Sequence, residues 1–342
     1  MKIIIEIPHP ARVHLFRNLY FQLLKKDHKV VVVYKDKEQT ESLLKLYKIP
    51  AYKIGKNRIG FFKKLIEIFR EFLNLFLIGI KLKPDLVLGG ASPVLGFTSF
   101  VLNSKYISFS DTEHASLTWK LSKPFIDLII TPNSFLNDLG KKQIRIKGFK
   151  ELAYLHPNYF NPDINVLKEL NLNTGEKYSV IRFISWNALH DQGHRGFSSH
   201  DKINIINELL KYGKVFISSE EKLSEDLMQY KLNISPEKIH DVLYFSSLFF
   251  GESGTMATES AILGTPTVRV STLAKLLGNF KELNNKYDLL YFYENSEDGL
   301  RKCLEILNDN DSKSKWKIKS KKLIDDKIDV TEFLLKTIEN FK

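Results

Sequence analysis

Short apolar, β-branched runs alternate with helix-length segments along nearly the whole chain, and few architectures accept that order. The runs fall at 3–7, 30–34, 85–88, 106–109 and 127–130, with helical spacing at about 14–26, 36–47, 60–81, 93–102 and 115–123. Residues 30–34 read VVVVY, continuously apolar, as a strand buried on both faces must be. A strand–helix–strand order of this kind builds a parallel sheet with helices on both sides. Gly148, Pro157, Pro162 and Gly175 then break the pattern. A second series follows, with strands at 178–185, 214–218, 248–251, 267–270 and 289–293 and helices at 202–212, 220–231, 255–263 and 296–307. The expected organisation is two doubly wound α/β domains, 1–150 and 177–342, the second including a C-terminal helix, joined by a linker at 151–176. At 342 residues the chain is long enough for two cores.

Ligands of open α/β sheets bind beyond the carboxyl ends of the strands, so the loops that follow strands take precedence over helix interiors. One such loop is GESGTMATESAILGTP, 251–266, between an apolar run and an apolar helix. Gly251 and Gly254 permit close backbone approach, and Ser253 or Thr255 can cap the new helix. The free N–H groups and positive dipole of a helix start make a phosphate site. Glu259 lies four residues after Thr255, on the same face of a helix whose neighbours are apolar. A carboxylate there needs a partner, and either a ribose diol or a Lys or Arg side chain would serve. No Gly-Lys-Ser/Thr follows, so the loop is not a Walker P-loop.

The first loop, Pro8-His9-Pro10-Ala11-Arg12-Val13-His14, brings two histidines and an arginine to the end of strand one. His14, opening a helix, is expected to stay neutral beside the dipole and to serve as a general base, the other reading being a histidine that caps local structure. GxGxxG is absent, which argues against nicotinamide binding. The loop Ser110-Asp111-Thr112-Glu113-His114 offers two carboxylates and a histidine for acid–base work, with a cation site as the other reading. In 186–195, WNALHDQGHR, His190 and His194 stand four apart, but Gly193 and Gly196 oppose a helix and no third zinc ligand is evident. Arg182 and Arg195 are the better candidates, as a diphosphate clamp, with His190 beside them as a nucleotide-sugar contact. No metal is assigned.

The formal charge of +11, from 51 basic against 40 acidic side chains, favours phosphates or anionic lipid. The basic residues lack the Arg-rich, aromatic-interleaved character of a nucleic-acid surface, so no nucleic-acid partner is expected. The run KSKWKIKSKK, 313–322, reads as the solvated face of a C-terminal helix. A single cysteine, Cys303, excludes an intramolecular disulfide, and MKIIIEIPHP is too soon interrupted for a secretory signal, so the expected location is cytoplasmic. Residues 59–81, IGFFKKLIEIFREFLNLFLIGIK, carry large apolar residues around most of a helix, with too many charges for a transmembrane span. They form either a buried helix on one sheet face or a patch resting on the inner face of the cell membrane.

IPHPARVHLFRNL, FSDTEH, KGFKELAYLHPNYFNPD, RFISWNALHDQGH and GESGTMATESAILGTP together resemble domain-of-unknown-function family 354, whose members look like GT-B glycosyltransferases. The resemblance implies a GT-B-like fold, two Rossmann-like doubly wound domains facing a central cleft. The last motif is also similar to the nucleotide-sugar loop of the lipid II GlcNAc transferase. That similarity implies that Glu259 holds the ribose, that Ser253, Gly254 and Thr255 face the diphosphate, and that His14 is the acceptor base. Pro8 and Pro10 stand where that enzyme has a glycine-rich loop. Glu113-His114 and His194-Arg195 resemble segments of the non-hydrolysing UDP-GlcNAc epimerase. The expected activity is metal-independent transfer from a nucleotide-diphosphate sugar, the UDP-sugar being substrate rather than cofactor, to a glycan or lipid-linked acceptor in surface polysaccharide or glycolipid synthesis. His14, Glu113 and Asp111 are the expected catalytic residues. Nucleotide-sugar epimerisation and a non-catalytic binding role are the alternatives.

Overall fold

A computed structural model describes residues 1–56, 58, 60–113, 115–184, 197–220, 222–271 and 277–341. The chain divides into two compact units, 1–159 with 327–342, and 160–326. In the first, β1 (Lys2–Ile7), α1 (Pro10–Lys25), β2 (Lys29–Asp36), α2 (Thr40–Leu46), β3 (Ala51–Lys56), α3 (Phe61–Leu82) and β4 (Leu86–Gly89) are followed by α4 (Pro93–Val101), β5 (Lys105–Phe109), α5 (Ser116–Ser122), β6 (Leu128–Pro132), β7 (Gln143–Ile146) and α6 (Leu152–Leu155). The sheet is parallel, in the order β3-β2-β1-β4-β5-β6-β7. The order reverses between β1 and β4, which makes their carboxyl ends the place for a ligand. One face of the sheet is closed by Ile4, Val87, Leu95, Tyr106, Trp119 and Ile129 among others.

The second unit holds α7 (Val166–Glu169), β8 (Tyr178–Phe183), α8 (Ser199–Leu210), β9 (Lys214–Ser219), α9 (Glu225–Met228), α10 (Ile239–Phe245), β10 (Leu248–Gly251), α11 (Gly254–Ile262), β11 (Thr267–Val270), α12 (Gly278–Asn285), β12 (Leu290–Tyr293), α13 (Ser296–Asn308) and α14 (Ser312–Asp326). Its parallel sheet runs β12-β11-β10-β8-β9 and switches direction between β8 and β10. There the strands approach closely: a Cβ on Gly251 would stand 2.4 Å from the Arg182 carbonyl oxygen. Only glycine fits.

Several expectations are corrected. The segment expected as linker begins as core, because Leu152, Ala153, Tyr154 and Leu155 are buried and the Ala153 carbonyl accepts from Asn18 Nδ2 (2.9 Å) and Thr331 Oγ1 (2.8 Å). The last helix, α15 (Val330–Asn340), was expected in the second domain but packs on α1 and α6 of the first unit. The helix expected at 220–231 shortens to α9, because the Ile217 amide donates to the Tyr230 carbonyl and the Ile217 carbonyl accepts from the Leu232 amide, drawing the chain out beside β9.

The solvated reading of 313–322 is corrected at Lys313 and Lys317, whereas Lys315, Lys321 and Lys322 are exposed. Lys313 Nζ donates to the Tyr244 and Ser246 carbonyls and to Thr265 Oγ1 at 2.6–2.7 Å, and Lys317 Nζ to the Leu263 carbonyl at 2.7 Å. Three oxygens thus converge on one buried amine, whose pKa burial and the neighbouring Lys317 push well below the ordinary lysine value. Lys313→Met is expected to lower the stability of the second unit by about 2–4 kcal/mol, because three oxygens lose their hydrogen-bond donor. Urea unfolding checks this, and a variant with an unchanged midpoint contradicts it.

Candidate functional site

In the second unit β10 ends at Gly251 and the chain turns at once into α11. Ser253 is the N-cap and its hydroxyl accepts from the Met256 amide at 3.4 Å, while Thr258 Oγ1 bonds the Gly254 carbonyl at 3.0 Å. Glu252, 2% exposed, braces the turn from behind. Its carboxylate accepts from the Ile184 and Phe197 amides, each at 3.2 Å, on either side of 185–196.

A residue not singled out from the sequence completes the turn. Arg269 of β11 is 7% exposed. Its Nε donates to the Glu252 carbonyl at 3.2 Å, and its guanidinium carbon lies 4.3 Å above the Phe280 ring. A Cβ on Gly254 would stand 3.6 Å from that guanidinium. Burial lowers the Arg269 pKa to about 10, against the opposing pull of Glu252, so the group is cationic at neutral pH. Its Nη1 finds no hydrogen-bond partner among the described residues. A buried cation with an idle donor beside a helix N-terminus is a seat for an anion.

The other residues expected here fare differently. Glu259 is 3% exposed, and its Oε1 lies 3.1 Å from His240 Nε2. A histidine of α10 is thus one of its partners. Arg182 turns to β9, giving Nη1 to Ser218 Oγ (2.7 Å) and Nη2 to Glu220 Oε1 (2.8 Å), while its buried Nε finds no hydrogen-bond partner among the described residues. Thr255 is half-buried in the first turn of α11. His190 and Arg195 lie outside the described residues.

In the first unit a charged cluster occupies the ends of β1, β4 and β5. Arg12 reaches from α1 to donate to the Phe109 carbonyl at 2.6 Å, and passes so close to Gly90 that a Cβ there would stand 2.9 Å from Nη2. Lys150 Nζ pairs with Asp111 Oδ2 at 2.7 Å and with Glu151 at 3.6 Å. Burial opposes ionisation of Asp111, but the charge and hydrogen bond of Lys150, with Arg12, hold its pKa below the usual range. Asp111 therefore stays an anion that orients Lys150 and takes up protons poorly. Glu113 accepts from the Leu136 amide at 2.7 Å, fastening its loop to 136–137, and His114 lies outside the described residues.

His14 is 5% exposed, with Nδ1 3.1 Å from Tyr47 Oη and its ring against Tyr154. His9 is more accessible. It caps α1 without a side-chain bond of its own to the helix. Burial, and then the charges of Arg12, Lys150 and Lys37, hold its pKa well below the ordinary histidine value against the pull of Asp111. The sequence hint was Pro-His-Pro, which fixes the backbone on both sides of His9. Among the described residues no three His, Cys, Asp or Glu side chains gather as a metal site.

A family model described as "Protein of unknown function (DUF354)" matches residues 1–336. The chain belongs to the DUF354 family. A relative in sequence is an uncharacterized protein of Methanocaldococcus jannaschii, 27% identical over 300 residues, 84% of this chain and 86% of that one. Among solved structures, UDP-GlcNAc 2-epimerase from Neisseria meningitidis bound to UDP-GlcNAc superposes with a TM-score of 0.66 at 14% identity, covering 99% of this chain and 100% of the other. The glycosyltransferase SsfS6 of Streptomyces sp. SF2575, complexed with thymidine diphosphate, gives 0.62 at 15% identity, covering 98% and 99%. This DUF354 chain therefore has the two-domain, Rossmann-like GT-B fold.

Proposed function

We infer that this protein acts on a nucleotide-diphosphate sugar, UDP-linked, and transfers the sugar to an acceptor hydroxyl. The observation that carries this reading is the idle Nη1 of buried Arg269 beside the N-terminus of α11. Amide N–H groups of the first turn and a fixed guanidinium would take the diphosphate, and they would stabilise the charge it gains on leaving. Charge stabilisation supplied in this way requires no metal. Glu259, held by His240, remains the proposed ribose ligand through hydroxyl donation to its carboxylate.

The first unit supplies the proton acceptor. As the acceptor oxygen bonds to the anomeric carbon, the bond from that carbon to the diphosphate oxygen breaks and its electron pair leaves with the nucleotide. The hydroxyl proton passes to an imidazole, and neutral His9 suits the task, with His14 the second candidate and Glu113 the third. The acceptor is a glycan or lipid-linked hydroxyl of surface polysaccharide or glycolipid synthesis, and the site of action is the cytoplasm.

Superposition on an epimerase over the whole chain supports a second reading, epimerisation of the nucleotide sugar without an acceptor. Incubation with UDP-GlcNAc alone separates the two: a new epimer at equilibrium favours epimerisation, and its absence favours transfer. The shared claim is tested by melting the protein with nucleoside mono- and diphosphates. UDP at a hundredfold excess over its dissociation constant should add about 2.7 kcal/mol to stability, and UMP markedly less. A melting temperature indifferent to every diphosphate contradicts the reading.

A further inference from the structure

The three helices α3, α4 and α5 present an unusual outer face. Leu65, Ile66 and Phe69 of α3 are 57%, 63% and 62% exposed, Phe100 of α4 is 68% and Leu117 of α5 is 67%. These helices pack side by side, α3 on α4 and α4 on α5, so the apolar side chains belong to one contiguous surface. Between α3 and α4 runs a groove of 610 Å³ lined by Leu65, Phe69, Phe72, Val94 and Phe97 among others. A surface of this kind is costly in water and marks a place of contact.

The charges say with what. The two carboxylates of α3 face inward: Glu67, 5% exposed, accepts from the Lys56 amide at 2.8 Å, and Glu71, 4% exposed, pairs with Lys35 at 2.7 Å. Among the described residues of the three helices no carboxylate is exposed, whereas Lys63, Arg70, Lys81 and Lys120 are. The helix has thus turned its acids to the sheet and its large apolar and basic side chains outward, the reverse of an ordinary surface helix. A second copy related by a two-fold axis would set this cationic face against itself. An anionic bilayer satisfies both features, with acyl chains taking the apolar residues and lipid phosphates the flanking bases. Among the described residues no helix is long and apolar enough to cross a membrane, so α3 would lie on it.

We propose that the α3–α4–α5 face docks the protein on an anionic lipid bilayer. For the transfer inferred above, docking brings the enzyme to lipid-borne acceptors, but the test is independent of that reading because it needs neither nucleotide nor turnover. The protein is sedimented with vesicles of phosphatidylglycerol and phosphatidylcholine in equal parts, and with phosphatidylcholine alone. Binding to the anionic vesicles should be at least about tenfold tighter and should weaken with salt. Phe69→Glu with Phe100→Glu should abolish it while leaving the melting temperature unchanged, since both side chains are largely exposed. Lys81→Gln and Lys120→Gln should weaken it about fivefold each. A protein that stays in the supernatant, a double variant that sediments like the parent, or a parent dimer that the double variant dissolves each overturns the proposal.

Discussion

Replacing Arg269 with alanine is expected to weaken UDP binding by about a hundredfold while leaving the empty protein as stable as before, or more so. Charge-assisted hydrogen bonds contribute about 1.5–3 kcal/mol each, and about 2.7 kcal/mol corresponds to the hundredfold. The stability half of the expectation follows from what surrounds the residue. Arg269 is buried, bonded through Nε to a carbonyl and resting on Phe280, with Nη1 idle. A desolvated cation of that kind costs stability, and removing it relieves the cost against the loss of its packing. A residue kept for structure would behave in the opposite sense. Titration calorimetry and a melt of the ligand-free variant decide it: unchanged affinity together with a large loss of stability would make Arg269 a structural residue.

The second large effect concerns the proton acceptor. His9→Gln is expected to reduce kcat by roughly 100- to 10,000-fold, the usual range for a general base, with nucleotide affinity retained. Because its folded pKa lies well below 6.5, the imidazole is neutral throughout the physiological range. The rate should therefore be flat above about pH 7 and fall only in acid, as the base becomes protonated. The same depression links His9 to stability. Below pH 6.5 the unfolded chain binds a proton that the folded state refuses, so stability declines as pH falls through that value. Glutamine at position 9 should flatten this decline. Should His14→Gln abolish turnover while His9→Gln is active, the base is His14.

Where a strand is buried on both faces its continuous apolar run was visible in the sequence, as in β2 and β10. The edge strands β3 and β7 were not, because AYKIGK and QIRI mix polar with apolar residues as half-solvated strands do. The turn into α11 was legible because a glycine-flanked serine, an apolar helix and a preceding apolar run all point to one geometry. Arg269 left only one trace, an arginine within the short run TVRV. Every residue of that strand is buried, so the charge had to be serving something. Lysines of α14 misled for a related reason. The helix carries charge on all sides, and periodicity cannot say which lysine reaches back to carbonyls, as Lys313 does. The destination of α15 depends on long-range packing with α1, which spacing along the chain does not encode.

The most direct measurement is a crystal structure of the protein grown with UDP. The diphosphate should lie against the amides of Gly254 and Thr255, with a β-phosphate oxygen in hydrogen-bonding distance of Arg269 Nη1. A nucleotide bound elsewhere, with that nitrogen still idle, would contradict the account at its centre.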